Sequence, residues 1–562
     1  MTAETLLCEP AQLDWSQPGG PRASDYGDVY FSVEDGLEET REVFLRACNL
    51  PEAWDAKPVF VVGELGFGTG LNALALWQLW REQGNSAGWL HFVSIEKHPL
   101  SRAQAAKAFA AWPQLAALTR QLLAQWPSRL KGPHRLVFPD DRFTITVFHD
   151  DAEHALEQMH AQMDCWFLDG FAPARNEAMW SQTVLDHLGR LSRPGARVGT
   201  FTVAGRVRRG LAEAGFEVSK QPGFGRKRER LQAIYPGPSV AAVARRPSVC
   251  IRGAGIAGAS LARAFRMRGC GVRILDPNGV GKGASSAPAG LLTPRLEKAD
   301  RPHVRATLAA FDYARRLYEP LSAYHSSGVT RLPGSDKDAA RFPELAALMG
   351  EAYDWSDGAL VMRESGWFYP QQIVASLIDD VDVQTRGEPE DGEIVVSATG
   401  PAFDLQGDIV PSAGRVGLFR SDAQHQPVSW GGYLVPAQAD RVVLGATHVR
   451  GWDAGHDEAE LRDFHTALER VLPAVAETID PQPVSSWSGC RASTPDRLPV
   501  VGAAGDGEFV LSGLGSRGFA HAPLLAEQLA SQICGEPWAL ERQGVDALEP
   551  QRFAKRRARR QS

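Results

Sequence analysis

The chain has 562 residues, of which 44% are hydrophobic and 23% are charged. This length exceeds what one hydrophobic core usually serves, and the composition excludes a disordered or fibrous chain. The formal net charge of -7 excludes an overall basic surface for nucleic acid, and the first residues lack the basic start and apolar run of a secretory signal. We therefore expect at least two domains in a cytoplasmic protein without a membrane segment.

Seven cysteines are spread along the chain, and none of them forms a C-x-x-C pair or a Cys/His cluster with zinc spacing. This spacing predicts reduced thiols, most of them buried. It also predicts that the protein has no metal site.

Short apolar runs alternate with helix-like stretches from Val59 to about Tyr235. The runs include VFVVGEL, LHFVSIE, TITVFH and CWFLDGF, and the stretches between them include NALALWQLW and ALEQMHAQM. This alternation predicts an α/β domain with a doubly wound, Rossmann-like sheet. The segment PGPSVAAVARRPS, residues 236–248, mixes Pro, Ser and Arg and predicts a linker. We therefore divide the chain into a first domain at 1–243 and a second domain at 244–562.

A glycine-rich turn follows the first of these strands. Gly66, Gly68 and Gly70 would let backbone N–H groups approach a ligand that a Cβ would obstruct. Glu96 ends the second strand, where a carboxylate can accept hydrogen bonds from ribose hydroxyls; a tight turn beside a surface glutamate is the alternative interpretation. Acidic residues at the ends of two further strands favour a ligand site: Asp150, Asp151 and Asp169.

The pattern E-x-G-x-G-x-G resembles the glycine loop of S-adenosylmethionine methyltransferases. The resemblance implies S-adenosylmethionine (SAM) as a cofactor, with its ribose on Glu96, its adenine on Asp151 and its methionine part near Glu64. It also implies that Asp169 lies beside the acceptor nitrogen. Because a protonated alkylamine must lose a proton before it is methylated, Asp169 is a candidate base or orienting group. A capping or turn aspartate is the alternative interpretation.

A second glycine turn lies in the segment SVCIRGAGIAGASLARAFRMRGCGVRILD, which contains a strand, the turn, a helix and another strand. Gly253, Gly255, Gly258 and Asp276 agree with the dinucleotide fingerprint, in which a pyrophosphate meets a helix N-terminus and a ribose meets the acid. These four residues are compatible with both FAD and NAD.

Three later segments resemble amine-oxidising flavoproteins of the glycine oxidase and D-amino acid oxidase type, and they favour FAD. They are GASSAPAGLL, VVSATG and LSGLGSRGFAHAPLLAEQLA. The third is expected to bring Gly513, Gly515 and Gly518, at the start of the final helix, towards the flavin. Strand-like runs between about 328 and 450 predict a mixed or antiparallel substrate sheet beside the cofactor.

The resemblance to these oxidases also implies a substrate pocket. Arg491, in SGCRASTPDRLPVVG, matches the arginine that clamps the substrate carboxylate, and a guanidinium suits a planar anion. A surface arginine is the alternative interpretation. Tyr433 and Arg517 are further candidates for the same pocket.

A methyltransferase followed by such an oxidase resembles the bifunctional tRNA 5-methylaminomethyl-2-thiouridine biosynthesis family over nearly the whole chain. The matching segments include DVYFS, GLEETREVFL, ELGFGTGLN, WFLDGFAPARN and CRASTPDRLPVVG. One departure is Glu177, which follows Asn176 where a proline is expected. The family implies two steps on the wobble uridine of tRNA. The first is FAD-dependent removal of the carboxymethyl group from 5-carboxymethylaminomethyl-(2-thio)uridine, and the second is SAM-dependent methylation of the exposed amine.

The resemblance therefore implies tRNA as a partner, and we expect no obligate protein partner. Two basic segments are candidates for phosphate contacts: residues 201–230, which include Arg226, Lys227 and Arg228, and the tail QRFAKRRARRQS. A solvated face and a frayed terminus are the alternatives. Two other functions stay open: an oxidase of free glycine-like amino acids fused to a small-molecule methyltransferase, and an RNA-binding scaffold with inactive cofactor folds.

Overall fold

The computed structural model describes residues 5–16, 20–31, 36–55, 57–84, 87–224, 228–238, 246–438, 440–451, 458–505 and 507–561. The chain forms two compact units, which are described separately. The N-terminal unit comprises Leu7–Arg245 and Ser531–Arg542, and the C-terminal unit comprises Met1–Leu6, Arg246–Ala530 and Gln543–Ser562. The domain boundary expected after residue 243 lies outside the described residues.

The N-terminal unit contains a small antiparallel sheet and a large mixed sheet. The small sheet consists of β1 (Leu13–Asp14), β2 (Arg22–Ala23) and β3 (Asp28–Val29). The large sheet consists of β4 (Val59–Leu65), β5 (Trp89–Glu96), β6 (Gly132–Phe138), β7 (Phe143–His149), β8 (Met163–Leu168), β9 (Ser192–Thr200), β10 (Glu217–Pro222) and β11 (Glu229–Ile234). Its order is β10-β11-β9-β8-β4-β5-β7-β6, and its five inner strands from β9 to β7 are parallel.

Helices cover both faces of this sheet. They are α1 (Gly36–Thr40), α2 (Leu71–Gln83), α3 (Arg102–Phe109), α4 (Ala116–Ala124), α5 (Ala152–Gln158), α6 (Gln182–Leu191) and α7 (Gly205–Glu213). Successive residues of β4 pack into opposite cores: Phe60 and Val62 into one, Val59 and Val61 into the other. Burial on both faces explains why β4 is an uninterrupted apolar run in the sequence.

The C-terminal unit is built on three sheets. A six-stranded sheet contains β12 (Val249–Arg252), β13 (Val272–Leu275), β20 (Asp382–Gln384), β21 (Ile394–Ser397), β28 (Val500–Gly505) and β29 (Glu508–Ser512). It is parallel except for the pair β28–β29. A three-stranded antiparallel sheet contains β14 (Gly290–Leu292), β15 (Tyr324–His325) and β19 (Gly366–Phe368).

A nine-stranded sheet completes this unit. Its strands are β16 (Val329–Arg331), β17 (Tyr353–Ser356), β18 (Ala359–Met362), β22 (Val410–Arg420), β23 (Val428–Ser429), β24 (Tyr433–Pro436), β25 (Arg441–Gly445), β26 (Val449–Arg450) and β27 (Pro483–Ser493). Its pairs are antiparallel except for β16–β23. The prediction of an FAD-type Rossmann sheet with a mixed or antiparallel substrate sheet is therefore confirmed.

The helices of the C-terminal unit are α8 (Ile256–Met267), α9 (Pro302–Tyr318), α10 (Asp336–Met349), α11 (Pro370–Leu377), α12 (Glu458–Val471), α13 (Pro473–Ala476), α14 (Gly518–Cys534), α15 (Arg542–Leu548) and α16 (Arg552–Gln561). One expectation is wrong here: Gly518 does begin a helix, but α15 and α16 follow it, so it is not the final one. Among the residues described above, no helix is long and apolar enough to span a membrane. The structure describes all seven cysteines; none of them forms a disulfide, and six of them are buried.

Candidate cofactor and active sites

The first glycine turn joins β4 to α2 and needs glycine at each of its three predicted positions. Gly66, Gly68 and Gly70 have φ values of 92°, 52° and 82°, in the region that side chains disfavour. A Cβ at Gly66 would lie 2.9 Å from the carbonyl oxygen of Asp169, and Gly70 begins the turn into α2 as its N-cap. Gly66 and Gly68 line a cavity of about 720 Å³, whereas Gly70 does not.

Glu96 is fixed against this turn by two backbone donors. Its carboxylate oxygens accept hydrogen bonds from the N–H of Gly68 at 2.7 Å and from the N–H of His98 at 2.8 Å. Burial raises the pKa of Glu96, while these backbone bonds oppose the increase. The residue that was predicted to hold the ribose thus lines the cavity in a fixed orientation.

A hydrogen-bonded group of side chains lies behind the turn. Asn72 donates through its Nδ2 to Glu64 at 2.9 Å and to Asp169 at 2.7 Å. Its Oδ1 accepts from the hydroxyl of Thr40 at 2.7 Å. Glu64 also accepts from the hydroxyl of Ser94 at 2.6 Å, and burial raises its pKa well above the usual value. Asn72 therefore links Glu64, near the end of β4, to Asp169, which follows β8.

The expectation for Glu64 needs correction. Its side chain is 1% exposed and does not line the cavity, because both of its carboxylate oxygens face the buried donors of Asn72 and Ser94. Asn72 lines the cavity in its place. The sequence reasoning missed Asn72, although it follows the glycine turn directly in ELGFGTGLN, where a first-turn amide faces the ligand side of the helix.

Asp169 lines the same cavity, at the end of β8. The loop that follows is held by Asp28 of the DVYFS segment, whose carboxylate accepts from the N–H of Ala172 at 3.1 Å. Phe171 stacks on Tyr26 with ring centroids 4.7 Å apart and meets Tyr30 edge-on at 5.3 Å. The departure at Glu177 does not prevent this loop from packing, and the site combines a carboxylate with an aromatic wall.

Asp151 occupies a different position from the other acids. It is the N-cap of α5, and its side chain accepts from the N–H of His154 at 3.1 Å. It is exposed and lines the cavity, so it stays a candidate for the adenine contact. The volume, the glycine turn and the fixed carboxylate together fit a nucleoside cofactor such as SAM.

The second glycine turn joins β12 to α8. Gly253 has a φ of 106°, and a Cβ there would lie 2.5 Å from the carbonyl oxygen of Ala398. A Cβ at Gly258 would lie 1.8 Å from the carbonyl oxygen of Gly253, so this glycine permits the close packing of turn and helix. Gly255 and Asp276 line a cavity of about 760 Å³, together with Gly253.

Asp276 directly follows β13, the second strand of this motif, and its side chain binds the backbone of the glycine turn. Its carboxylate accepts from the N–H of Ala254 at 2.7 Å and from the N–H of Asn278 at 2.9 Å. Gly513, Gly515 and Gly518 line the same cavity, where a tight turn leads into α14. A glycine turn, an acid and a second helix N-terminus around one cavity fit FAD.

Arg491 extends from β27 into this cavity. Its Nη1 donates to the carbonyl oxygen of Thr447 at 3.3 Å, and no carboxylate of the described residues pairs with it. Burial lowers the pKa of Arg491, and the nearby Tyr433 opposes that decrease. Its guanidinium lies over Gly414, where a Cβ would approach the guanidinium carbon to 2.3 Å. A partly buried cation without a counter-ion among the described residues fits a carboxylate ligand.

Tyr433 and Arg517 line the same cavity as Arg491. Burial raises the pKa of Tyr433, while the charge of Arg491 opposes the increase. Tyr433 and Arg491 therefore lie in one part of the pocket. Arg517 lies in the turn before α14, with different charged neighbours.

The basic segments differ from each other. In the first, Arg228 is exposed at the end of the β10–β11 hairpin, and Arg226 and Lys227 lie outside the described residues. The tail forms helix α16 and is not an unpaired basic patch: Arg552 and Arg556 bind Asp496 at 3.0 and 2.6 Å. Lys555 and Arg557 also pair with acids.

One group of possible metal ligands is present in the N-terminal unit. Asp150, His154 and Glu541 bring ligand-type atoms within 4.8 Å of one another. Exposed acidic groups are common without an ion, so the expectation of no metal stays a prediction.

Two family models match different parts of the chain. Residues 113–236 match the family model for an S-adenosyl-L-methionine-dependent methyltransferase, and residues 248–532 match that for an FAD dependent oxidoreductase. The chain therefore has a methyltransferase domain that uses SAM and an oxidoreductase domain that uses FAD. A crystal structure of glycine oxidase from Geobacillus kaustophilus is 22% identical, with a TM-score of 0.45, over 52% of this chain and 96% of that chain.

Relatives match over the full length. The tRNA 5-methylaminomethyl-2-thiouridine biosynthesis bifunctional protein MnmC of Maricaulis maris is 54% identical over 100% of this chain and 99% of its own. The protein of the same name from Caulobacter vibrioides is 40% identical over 97% of this chain and 98% of its own. This chain thus belongs to the family of tRNA 5-methylaminomethyl-2-thiouridine biosynthesis bifunctional proteins.

Proposed function

We propose that this protein carries out two successive reactions on the wobble uridine of tRNA. The first removes the carboxymethyl group of 5-carboxymethylaminomethyl-(2-thio)uridine, and the second methylates the resulting 5-aminomethyl group. The observation that carries the proposal is the pair of cavities with opposite charge. One offers the partly buried guanidinium of Arg491 to a carboxylate, and the other offers the carboxylate of Asp169 to an amine.

Bound FAD supplies a two-electron acceptor, and bound SAM supplies an electrophilic methyl group on a sulfonium. Arg491 binds the substrate carboxylate through paired charged hydrogen bonds and so holds the adjacent CH2–NH unit in one orientation. That unit loses two electrons and two protons to become an imine. Water then cleaves the C=N bond, which releases glyoxylate and leaves the primary amine on the uridine. Tyr433 closes the same part of the pocket.

The second reaction needs the neutral amine. Asp169 orients the amine and accepts its proton, because an alkylamine with a pKa of about 10 is mostly protonated at neutral pH. Asn72 fixes the Asp169 carboxylate, and Glu96 and Asp151 bind the ribose and adenine of the cofactor. Bound SAM would supply the methyl group, and the neutral nitrogen would take it in place of the proton that Asp169 accepts.

We assign the methyltransferase to residues 1–243 and the oxidoreductase to residues 244–562, acting in the cytoplasm. Arg228 and its neighbours in the β10–β11 hairpin are candidates for phosphate contacts. Arginines of α16 are already bound to carboxylates, and such a guanidinium attracts phosphate less strongly. We therefore favour Arg228 over α16 as the contact to the phosphates of tRNA.

Nucleoside mass spectrometry of tRNA tests these assignments. With Arg491→Gln, we expect the carboxymethylaminomethyl nucleoside to accumulate, and an aminomethyl tRNA supplied separately should still be methylated. With Asp169→Asn, the aminomethyl nucleoside should accumulate, and oxidation should continue. Each variant is the control for the other, since it leaves the other cavity intact.

Two results would contradict the proposal. If one substitution abolished both reactions, the assignment of one reaction to each cavity would be wrong. If the purified protein oxidised free glycine as well as it oxidised modified tRNA, it would be an amino acid oxidase fused to an unrelated methyltransferase.

A further inference from the structure

A second cationic cluster lies in the flavin cavity, apart from Arg491. Arg331 ends β16, and Arg517 lies in the turn before α14. Both side chains line the cavity, although they are nearly two hundred positions apart in sequence. The fold brings both side chains to one cavity, and no local motif in the sequence indicates this.

Neither arginine forms an ion pair within the part of the chain that the structure describes. The Nε of Arg517 is buried and has no hydrogen-bond acceptor there, and burial together with the charges of Arg331 and Arg295 lowers the pKa of Arg517 to about 10. Burial also lowers the pKa of Arg331, and the charge of Asp338 opposes that decrease without reversing it. Arg295 differs, because its Nε binds Glu297 at 2.8 Å. Two cations on this cavity wall thus lack an ion-pair partner.

The pKa of the neighbouring His521 is lowered in part by the same positive charges. It is 3% exposed, and neither ring nitrogen has a hydrogen-bond partner among the described residues. Burial and the charges of Arg517 and Arg295 lower its pKa to about 3, so it stays neutral at physiological pH. Since the imidazole adds no charge, it does not offset the two guanidinium groups.

Such an arrangement favours an anion from outside the chain. Burying a charge without a partner is costly, and two nearby guanidinium groups also repel each other. Arg491 reaches the cavity from β27, whereas Arg331 ends β16 and Arg517 lies in the turn before α14; all three side chains line the cavity. Besides Arg491, the cavity therefore carries a second pair of guanidinium groups that favours negative charge.

We propose that Arg331 and Arg517 bind a backbone phosphate of the RNA substrate, next to the uridine whose carboxylate Arg491 binds. This inference rests on the proposed function. A modified uridine within an RNA strand brings two kinds of anion to the pocket, a carboxylate and its flanking phosphates, whereas a free amino acid brings one. Arginine suits phosphate because its planar fork donates two parallel hydrogen bonds. The pair would make the oxidation selective for RNA.

The test compares two substrates that differ in whether flanking phosphates are present. They are the nucleoside 5-carboxymethylaminomethyluridine and an anticodon stem-loop RNA that carries it at the wobble position. Arg331→Gln and Arg517→Gln should each lower kcat/KM for the stem-loop by roughly 10- to 100-fold, the value of a lost charged hydrogen bond. The value for the nucleoside should fall much less, so that the ratio of the two kcat/KM values falls in each variant. Arg386→Gln removes the same charge from an exposed position outside the cavity and should change neither.

A binding measurement avoids dependence on turnover. An unmodified stem-loop, which has phosphates but no carboxymethyl group, is titrated into the full-length flavoprotein while the visible flavin spectrum reports occupancy of this cavity. Arg331→Gln and Arg517→Gln should weaken its binding, whereas Arg491→Gln should not. Loss of both arginines together should also reduce the slope of log Kd against log salt by about 0.7, as expected for one phosphate contact on a single strand. Arg331→Lys, which keeps the charge, should retain the slope.

The outcomes separate this inference from the function on which it rests. Suppose that the wild-type protein oxidises the modified stem-loop, and that each Gln variant loses as much activity on the nucleoside as it loses on the stem-loop. The pair then acts on the carboxylate or the flavin, and the inference is overturned. Equal binding of the unmodified stem-loop to the wild type and both variants overturns it as well. If the wild type oxidises neither substrate, the proposed function itself fails. Flavin content measured per chain shows whether a variant has folded.

Discussion

Asn72 is the residue on which the geometry of the methyltransferase site depends most. Its single amide donates to two acids, Glu64 and Asp169, and accepts from Thr40. Asn72→Ala removes both donors and leaves Glu64 with one partner instead of two. We expect methylation of aminomethyl tRNA to fall by roughly 10- to 100-fold, since a charged hydrogen bond contributes about 1.5–3 kcal/mol. Radiolabelled methyl transfer at saturating SAM measures this loss, and flavin-dependent oxidation should not change.

Two variants of Thr40 are matched controls for this prediction. Thr40→Val removes the hydroxyl that donates to Asn72 and should lower methylation less than Asn72→Ala does, whereas Thr40→Ser should retain activity. An Asn72→Ala protein with full methyl-transfer activity would show that Asp169 needs no support from this amide. SAM affinity, measured by calorimetry, distinguishes a loss of orientation from a loss of cofactor binding.

Most of the predicted site residues that line the two cavities lie in a glycine turn or at the end of a strand. The glycines of both turns have the positive φ or the close contacts that the fingerprints require at Gly66 and Gly253. Asn72 was missed although it directly follows the glycine turn, and Arg331 was missed because only the fold brings it to the same cavity as Arg517. The burial of Glu64 was missed for the same reason, since its position in a strand does not reveal which donors lie behind the strand.

At the scale of elements, a buried ion pair joins α14 to the residue that follows α8 in the C-terminal unit. Arg268 and Glu527 are 2.9 Å apart, and their side chains are 3% and 2% exposed. Glu527→Ala leaves a buried guanidinium without its counter-ion, so we expect a loss of about 3–5 kcal/mol in the free energy of unfolding. Denaturant unfolding of the flavoprotein, followed by flavin release, measures the effect.

A double substitution tests the cause of that loss. Arg268→Met with Glu527→Leu removes both charges and keeps apolar volume, so much of the stability should return. If the double variant were as unstable as Glu527→Ala alone, lost packing rather than an unpaired charge would explain the effect.

The elements themselves were largely predictable where an apolar run ends at a polar turn. VFVVGEL matches β4 residue for residue. ALEQMHAQM was expected to be helical throughout, but α5 ends at Gln158 and β8 begins at Met163. No glycine or proline marks the break between the two elements. The ion-paired helix α16 was also missed, because two of its acidic partners, Asp496 and Asp408, lie far from it in sequence.

At the scale of the whole molecule, two units with separate cores should lose their cofactors independently. Gly66→Ala introduces a Cβ 2.9 Å from the carbonyl oxygen of Asp169, and Gly253→Ala introduces one 2.5 Å from that of Ala398. Both positions also carry positive φ, which costs a side chain roughly 1–2 kcal/mol. Gly66→Ala should therefore lose methylation and keep its yellow flavin, while Gly253→Ala should lose flavin and still methylate aminomethyl tRNA.

Gly392→Ala separates backbone strain from collision, because Gly392 has a φ of 86° and no atom lies within 4 Å of the point that its Cβ would occupy. We expect Gly392→Ala to retain both activities. That result would show that backbone strain alone does not remove a cofactor. Flavin absorbance per chain and methyl transfer to aminomethyl tRNA are measured on the same three preparations. Loss of both activities in either cofactor-turn variant would mean that the two units unfold together, and the two reactions could then not be assigned to separate cavities by substitution alone.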